Sequence, residues 1–136
     1  MPSRRRLARV AAMQTVFAMQ AREVDPTATL KKNEAELGGK DAVDLEYAKI
    51  LVEGVAGSMD KIKESILTHA PQWPWDRMDS ITRSILLVGT FELLYAQDLP
   101  PAVAMNEAIE VAKEYGSDES AKFVNGVLNA IAHRAK

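Results

Sequence analysis

Apolar residues recur at three- and four-residue steps along most of this chain, which is the spacing of amphipathic α-helices. Between residues 5 and 20 no glycine or proline interrupts the pattern, and the arginines lie on its polar side. Asp25 and Pro26 begin a second, short helix that ends at Gly38. The first part of the chain is therefore predicted to contain two helices.

Five more helices follow, each bounded by residues that start or stop helices. The boundaries are Asp41 or Asp44, Gly57, Ser58 or Asp60, Pro71, Asp79, Pro101, Gly116 and Ser117. The segment 81–95 is apolar almost all round, as expected of a helix at the centre of a core. The sequence predicts an all-α fold of about seven helices, forming one domain over residues 1–136 with sub-bundles at about 1–70 and 76–136.

The composition argues against an enzyme. There is no cysteine, His69 and His133 are the two histidines, and no glycine-rich phosphate loop or HExxH sequence is present. A disulfide framework and a thiolate zinc site are excluded, and a catalytic constellation is hard to assemble. We expect a protein without a cofactor, in a reducing cytoplasm. No stretch has the roughly 18 to 20 apolar residues of a membrane span.

Charge is distributed unevenly. The net charge is −2, but the first 22 residues contain five arginines and no acid, so the remaining 114 carry −7. The cluster Arg4, Arg5, Arg6 and Arg9 lies within about one turn of the first helix, where several guanidinium groups can meet one phosphate backbone. Four such contacts to single-stranded RNA predict a log-affinity against log-salt slope of about −2.8. The alternatives are a solvated terminus and a secretory signal, although Arg9 and Gln14 interrupt the apolar stretch of such a signal.

A second basic position lies at the start of the last helix. Lys122 and Phe123 form a basic-aromatic pair close to the positively polarised N-terminus of that helix, an arrangement that suits single-stranded RNA. The alternative is that Phe123 belongs to the core. Trp73 and Trp75 are interpreted as a lid on the core rather than a stacking platform, because the nearest basic residue is Arg77 beside Asp76.

Three blocks of the sequence resemble the NusB family of transcription antitermination factors. The C-terminal block is the most specific, and the three together span essentially the whole chain. They are NEAIEVAKEYG at 106–116 followed by KFVNGVLN at 122–129, RRRLAR at 4–9 with Gln14, and ITRSIL at 81–86 leading to FELL at 91–94.

The resemblance implies two three-helix bundles within a seven-helix fold. It also implies binding to boxA-type RNA of ribosomal RNA transcripts, jointly with the ribosomal protein NusE, in the RNA polymerase antitermination complex. Carried over by position, the arginine-rich start holds RNA phosphates. Glu119, Lys122 and Phe123 contact bases and backbone.

Three alternatives remain open at this point. The acidic body suits a protein-binding helical adaptor that docks a basic partner without direct RNA contact. The same fold occurs as an RNA-binding domain fused to ribosomal-RNA cytosine methyltransferases, but a glycine-rich cofactor-binding domain is absent from this sequence. An exposed apolar helix face could also allow a homodimer.

Overall fold

The computed structural model describes residues 2–72, 75–96 and 98–134, except for the side chain of Arg134. The described residues form helices and connecting turns without a strand, which confirms the all-α prediction. None of these helices is long and apolar enough to cross a membrane. The helices are α1 Arg4–Ala21, α2 Pro26–Glu36, α3 Leu45–His69, α4 Ser80–Tyr95, α5 Pro101–Tyr115 and α6 Asp118–Arg134, with a 3₁₀ turn at Trp75–Arg77.

The aspartates at predicted helix starts do cap helices. Asp25, Asp44 and Asp79 each precede a helix, and each carboxylate accepts a hydrogen bond from a backbone N–H two or three residues later. Such a bond satisfies one of the donors that the first turn of a helix leaves unpaired. Of the two candidates for the third helix, Asp44 is therefore the cap.

The third and fourth predicted helices form one continuous element, α3. The boundary expected at Gly57 and Ser58 is a kink, where Ser58 has φ −126° and ψ 19°. Glycine next to serine weakens the helical ladder at this point. Val55 and Ile62, on either side of the kink, are completely buried, so both halves stay packed on the core. The helix therefore bends here without ending.

The helices share one hydrophobic core. α1, α2 and α3 pack on one another, as do α4, α5 and α6, and both α1 and α3 pack on α4. The central position expected of α4 is confirmed, since Leu86 and Leu87 are completely buried. Gly54 allows α3 to approach α4 closely, because a Cβ atom at that position would overlap the ring of Phe91. The division into two sub-bundles stays a prediction.

Trp75 packs against the core and is partly buried, which agrees with its interpretation as a lid. The tertiary structure also brings two cations to its ring that the sequence did not suggest. Lys63 Nζ lies 5.3 Å and Arg83 Cζ 5.9 Å from the ring centroid. Trp73, the other half of that prediction, lies outside the described residues.

Candidate nucleic-acid interface

The first turn of α1 presents two exposed arginines. Arg4 donates from Nη2 to the carbonyl oxygens of Lys40 at 2.9 Å and Val43 at 3.3 Å, in the loop before α3. The guanidinium carbon of Arg5 lies 4.1 Å from the ring centroid of Tyr47, at cation–π distance. Both side chains are thus held against the neighbouring segment but remain exposed to solvent.

Arg9 is buried, unlike Arg4 and Arg5. Only 4% of the residue is exposed. Its Nε donates to both carboxylate oxygens of Glu92, at 2.8 and 3.0 Å, and its Nη1 donates to Glu107 Oε1 at 3.1 Å. A guanidinium that two carboxylates hold inside the protein is not available to a phosphate. The prediction that Arg9 contacts RNA is not supported by this geometry, and we assign Arg9 a structural role.

Arg6 lies at the outer edge of the same network. Its Nε donates to Glu107 Oε2 at 2.7 Å, so Glu107 connects Arg6 to Arg9. The side chain of Arg6 is 33% exposed. The positive charge of α1 is therefore partly compensated, and Arg4 and Arg5 are its exposed part.

Tyr47 completes the buried network by donating from its hydroxyl to Glu92 Oε2. Burial and the bond to Glu92 raise the pKa of Tyr47 to about 12 from its ordinary 10.0. Burial alone would lower the pKa of Arg9, but its bonds to Glu92 outweigh this and raise it. The arginine accordingly stays charged and the tyrosine stays protonated at neutral pH.

Folding stability should decrease at alkaline pH. Between pH 10 and 12 the unfolded chain loses the Tyr47 proton while the folded protein keeps it, so the stabilisation present below pH 10 is lost as the pH rises through the folded pKa. We expect urea midpoints to decrease across this range in the wild type. Tyr47→Phe should show a flatter profile, although at pH 7 it should be less stable by about 1–3 kcal/mol because Glu92 loses a donor.

The matched control is Tyr95→Phe, because Tyr95 is exposed. Its alkaline profile should parallel that of the wild type. Parallel profiles for the wild type and Tyr47→Phe would show that the hydroxyl of Tyr47 does not link proton binding to folding.

An open cavity of about 240 Å³ lies where α4 and α6 begin, and Phe123 lines it. Its other lining residues are mostly short and polar, and two of them, Asp79 and Glu119, carry carboxylates. The lining residues are Met78, Asp79, Thr82, Ser117, Glu119, Ser120 and Phe123. Such a mixture of one aromatic surface and several hydrogen-bonding groups can hold a planar, polar ring.

The sequence left open whether Phe123 contacts RNA or belongs to the core, and its position is compatible with both. It is partly buried and packs against the core, yet it also lines this cavity. Glu119 and Lys122 are exposed on the same end of α6. The α6 residues singled out from the sequence therefore lie together, and the cavity adds Thr82, which sequence reasoning did not assign to a site.

The two basic positions are separate in space. Thr82 lines the cavity at the first turn of α4, whereas Glu92, ten residues further along the same helix, holds Arg9. At 1.5 Å per residue these points are about 15 Å apart along α4. Joint binding of one strand at both positions thus requires a ligand that extends along this helix.

Comparison with known proteins agrees with the resemblance seen in the sequence. Residues 6–133 match the profile of the NusB family. The transcription antitermination protein NusB of Kineococcus radiotolerans is 42% identical over 128 residues, which cover 94% of this chain and 92% of that protein.

Two solved structures share the fold over nearly the full length of both chains. A crystal form of Thermotoga maritima NusB has a TM-score of 0.85 and 34% identity, covering 98% of this chain and 93% of the other. A crystal structure described as antitermination factors NusB and NusE in complex with dsRNA has a TM-score of 0.83 and 29% identity, with coverages of 95% and 96%.

Proposed function

We propose a mechanism from the premise that the chain belongs to the NusB family and is a transcription antitermination protein. It binds single-stranded boxA-type RNA of ribosomal RNA transcripts jointly with the ribosomal protein NusE, as part of the RNA polymerase antitermination complex. The single observation that carries RNA binding is the cavity beside Phe123. Phe123 lines this cavity together with hydroxyl and carboxylate groups, a combination that suits an unstacked base.

Arg4, Arg5 and Lys122 supply the phosphate contacts of this proposal. All three are exposed, whereas Glu107 engages Arg6 and Glu92 engages Arg9. Glu119, on the rim of the cavity, accepts hydrogen bonds from the amino groups of a base. The proposed RNA surface thus extends from the first turn of α1 to the first turns of α6.

Salt dependence tests the number of phosphate contacts. Three cations that each bind one phosphate of a single strand give a slope of log affinity against log salt of about −2.1, shallower than the −2.8 expected from four contacts. Arg4→Gln with Arg5→Gln should reduce the slope by about 1.4. Fluorescence anisotropy with a boxA-type oligonucleotide at several salt concentrations measures both values.

Arg22→Gln is the matched control, because Arg22 is exposed and caps the far end of α1. That end is about 27 Å away for a helix of 18 residues. Its slope should equal that of the wild type. If the Arg4→Gln and Arg5→Gln double variant has the same salt slope as the wild type, the first turn of α1 does not contact the RNA.

The acidic body supports the part of the proposal that concerns NusE. Outside the first 22 residues the chain carries −7, which favours a basic partner such as a ribosomal protein. A second candidate, a protein-binding adaptor without RNA contact, rests on the same charge. Titration of RNA with and without NusE separates the two, since joint binding raises RNA affinity and the adaptor alone leaves it undetectable.

The proposal describes binding without catalysis. The relatives act in transcription antitermination by their names, and a role in transcription supports a cytoplasmic location. Double-stranded RNA is a necessary comparison in the titration, because the related NusB and NusE complex was solved with it. Stronger binding of the single strand is the expected result, since a paired base cannot enter the cavity.

A further inference from the structure

A shallow groove between α5 and α6 lies on the side of α6 opposite to the Phe123 cavity. Its volume is about 320 Å³, and its lining includes two exposed lysines, one from each helix. The lining residues are Ile109, Lys113, Asp118, Ala121, Lys122 and Asn125. Like the cavity, the groove opens at the N-terminal half of α6, so a ligand that enters both must pass around this helix.

The helical repeat determines what separates the two depressions. Residues four apart lie along one row of a helix surface. Glu119 and Phe123 form the row at the cavity, and Ala121 and Asn125 form the row at the groove. The row between them contains Asp118, Lys122 and Gly126, and the first two of these residues also line the groove. A chain that passes from the cavity to the groove must cross α6 over this row.

Gly126 lies in the middle of α6, where glycine is an unfavourable residue. Glycine destabilises a helix interior relative to alanine. Among the described residues, no atom outside the neighbouring stretch of α6 lies within 4 Å of where a Cβ would be, so packing against them does not require a glycine here. The residue is exposed. Because Gly126 has no side chain, a ligand can approach the surface of α6 closely at this point, one turn after Lys122.

We propose that the RNA strand bound at Phe123 continues across α6 over Gly126 and into the groove between α5 and α6. Lys122 binds a phosphate at the crossing and Lys113 binds one in the groove, while the amide of Asn125 faces the same strand. The groove lining carries two lysines and an amide against the single carboxylate of Asp118, and this net positive charge favours a sugar-phosphate backbone as the occupant. This inference rests on the proposed RNA binding and extends its site.

Gly126→Gln in the full chain tests the crossing, with Gly126→Ala beside it. Alanine should raise the melting temperature by a few degrees and nevertheless weaken RNA binding. Glutamine should weaken binding by about tenfold or more, because its longer side chain keeps the strand away from α6 and costs the charged hydrogen bond of Lys122. If Gly126 has only a structural role, the RNA affinity of Gly126→Ala should either equal that of the wild type or rise together with its melting temperature.

Lys113→Gln tests the groove. Lys113 adds a fourth phosphate contact to those of Arg4, Arg5 and Lys122, so this inference expects a wild-type salt slope of about −2.8, which Lys113→Gln should return to about −2.1. The effects of Lys113→Gln and Gly126→Gln should both disappear when single-stranded RNA is shortened one nucleotide at a time from the end that enters the groove. Gly57→Gln is the control, because Gly57 is also exposed, and in the part of the chain that the structure describes no atom outside the neighbouring stretch of α3 lies within 4 Å of where its Cβ would be. It should leave RNA affinity unchanged.

The outcomes separate this inference from the proposed function. If Phe123→Ala weakens RNA binding but Gly126→Gln and Lys113→Gln do not, the crossing is wrong and the cavity remains. If no variant affects RNA binding, both are wrong. If Gly126→Gln weakens binding of NusE and leaves RNA affinity unchanged, a protein covers this face and the inference is overturned.

Discussion

Replacing Glu92 by alanine is expected to lower the free energy of unfolding by about 3–5 kcal/mol, the usual cost of leaving one member of a buried ion pair unpaired. Glu92 is only 2% exposed, and its carboxylate accepts hydrogen bonds from Arg9 and Tyr47. Without Glu92, the buried guanidinium of Arg9 has Glu107 as its one remaining carboxylate partner among the described residues. Urea denaturation followed by circular dichroism measures the loss.

Glu64→Ala is the control for removing a glutamate from a helix, since Glu64 is exposed on α3. Its effect should stay within about 0.5 kcal/mol. The triple variant Arg9→Met, Tyr47→Phe and Glu92→Leu should recover most of the lost stability, because apolar residues often replace a buried ion pair without loss and no Tyr47 hydroxyl is left without its acceptor. If Glu92→Ala is no less stable than Glu64→Ala, the pair does not hold the helices together.

The same network should influence RNA binding indirectly. Arg9 lies in α1, Glu92 in α4 and Glu107 in α5, so these contacts fix the end of α1 that presents Arg4 and Arg5. At temperatures where Glu92→Ala is still folded, we expect weaker RNA binding than in Glu64→Ala. A weaker RNA affinity in Glu92→Ala would show that Arg9 acts by positioning α1 rather than by contacting RNA.

Phe123→Ala should reduce RNA affinity by about 1–3 kcal/mol, or roughly 5- to 150-fold, if the ring stacks on a base. Because the ring is only partly buried, the loss of folding stability should be smaller than the about 3–5 kcal/mol of a fully buried phenylalanine. Anisotropy titration of RNA and thermal melting on the same samples measure the two effects.

Phe123→Leu separates stacking from packing. Leucine keeps an apolar side chain against the core but has no aromatic face, so RNA binding should decrease while the melting temperature changes little. An RNA affinity equal to that of the wild type in Phe123→Leu would show that the ring contributes through packing alone. The cavity would then not be a base-binding site.

Local signals were sufficient for the helices and their caps. Asp25, Asp44 and Asp79 cap helices because a short carboxylate bonds to N–H groups within the next turn, an interaction confined to a few residues. The predicted break at Ser58 became a kink for a different reason. Burial of Val55 and Ile62 on both sides, which depends on the rest of the fold, outweighed the weak local signal.

The site was only partly visible in the sequence. Arg9 was predicted on the polar side of its helix, but the apolar residues Ala12, Met13 and Val16 neighbour it at helical spacing, and Glu92 interrupts a helix that is apolar almost all round. A lone charge on a buried face needs an opposite charge. The identity of the partner was not available, since 83 residues separate these two.

By itself, the sequence determined the all-helical fold, most helix ends, and the location of basic residues at the start of α1 and near the start of α6. These properties follow from interactions within a turn or from the periodicity of one helix. Only the tertiary structure decided which of those arginines remain exposed, because charge pairing joins distant residues such as Arg6 and Glu107, 101 positions apart. It also formed the cavity at Phe123, which requires α4 and α6 to begin side by side.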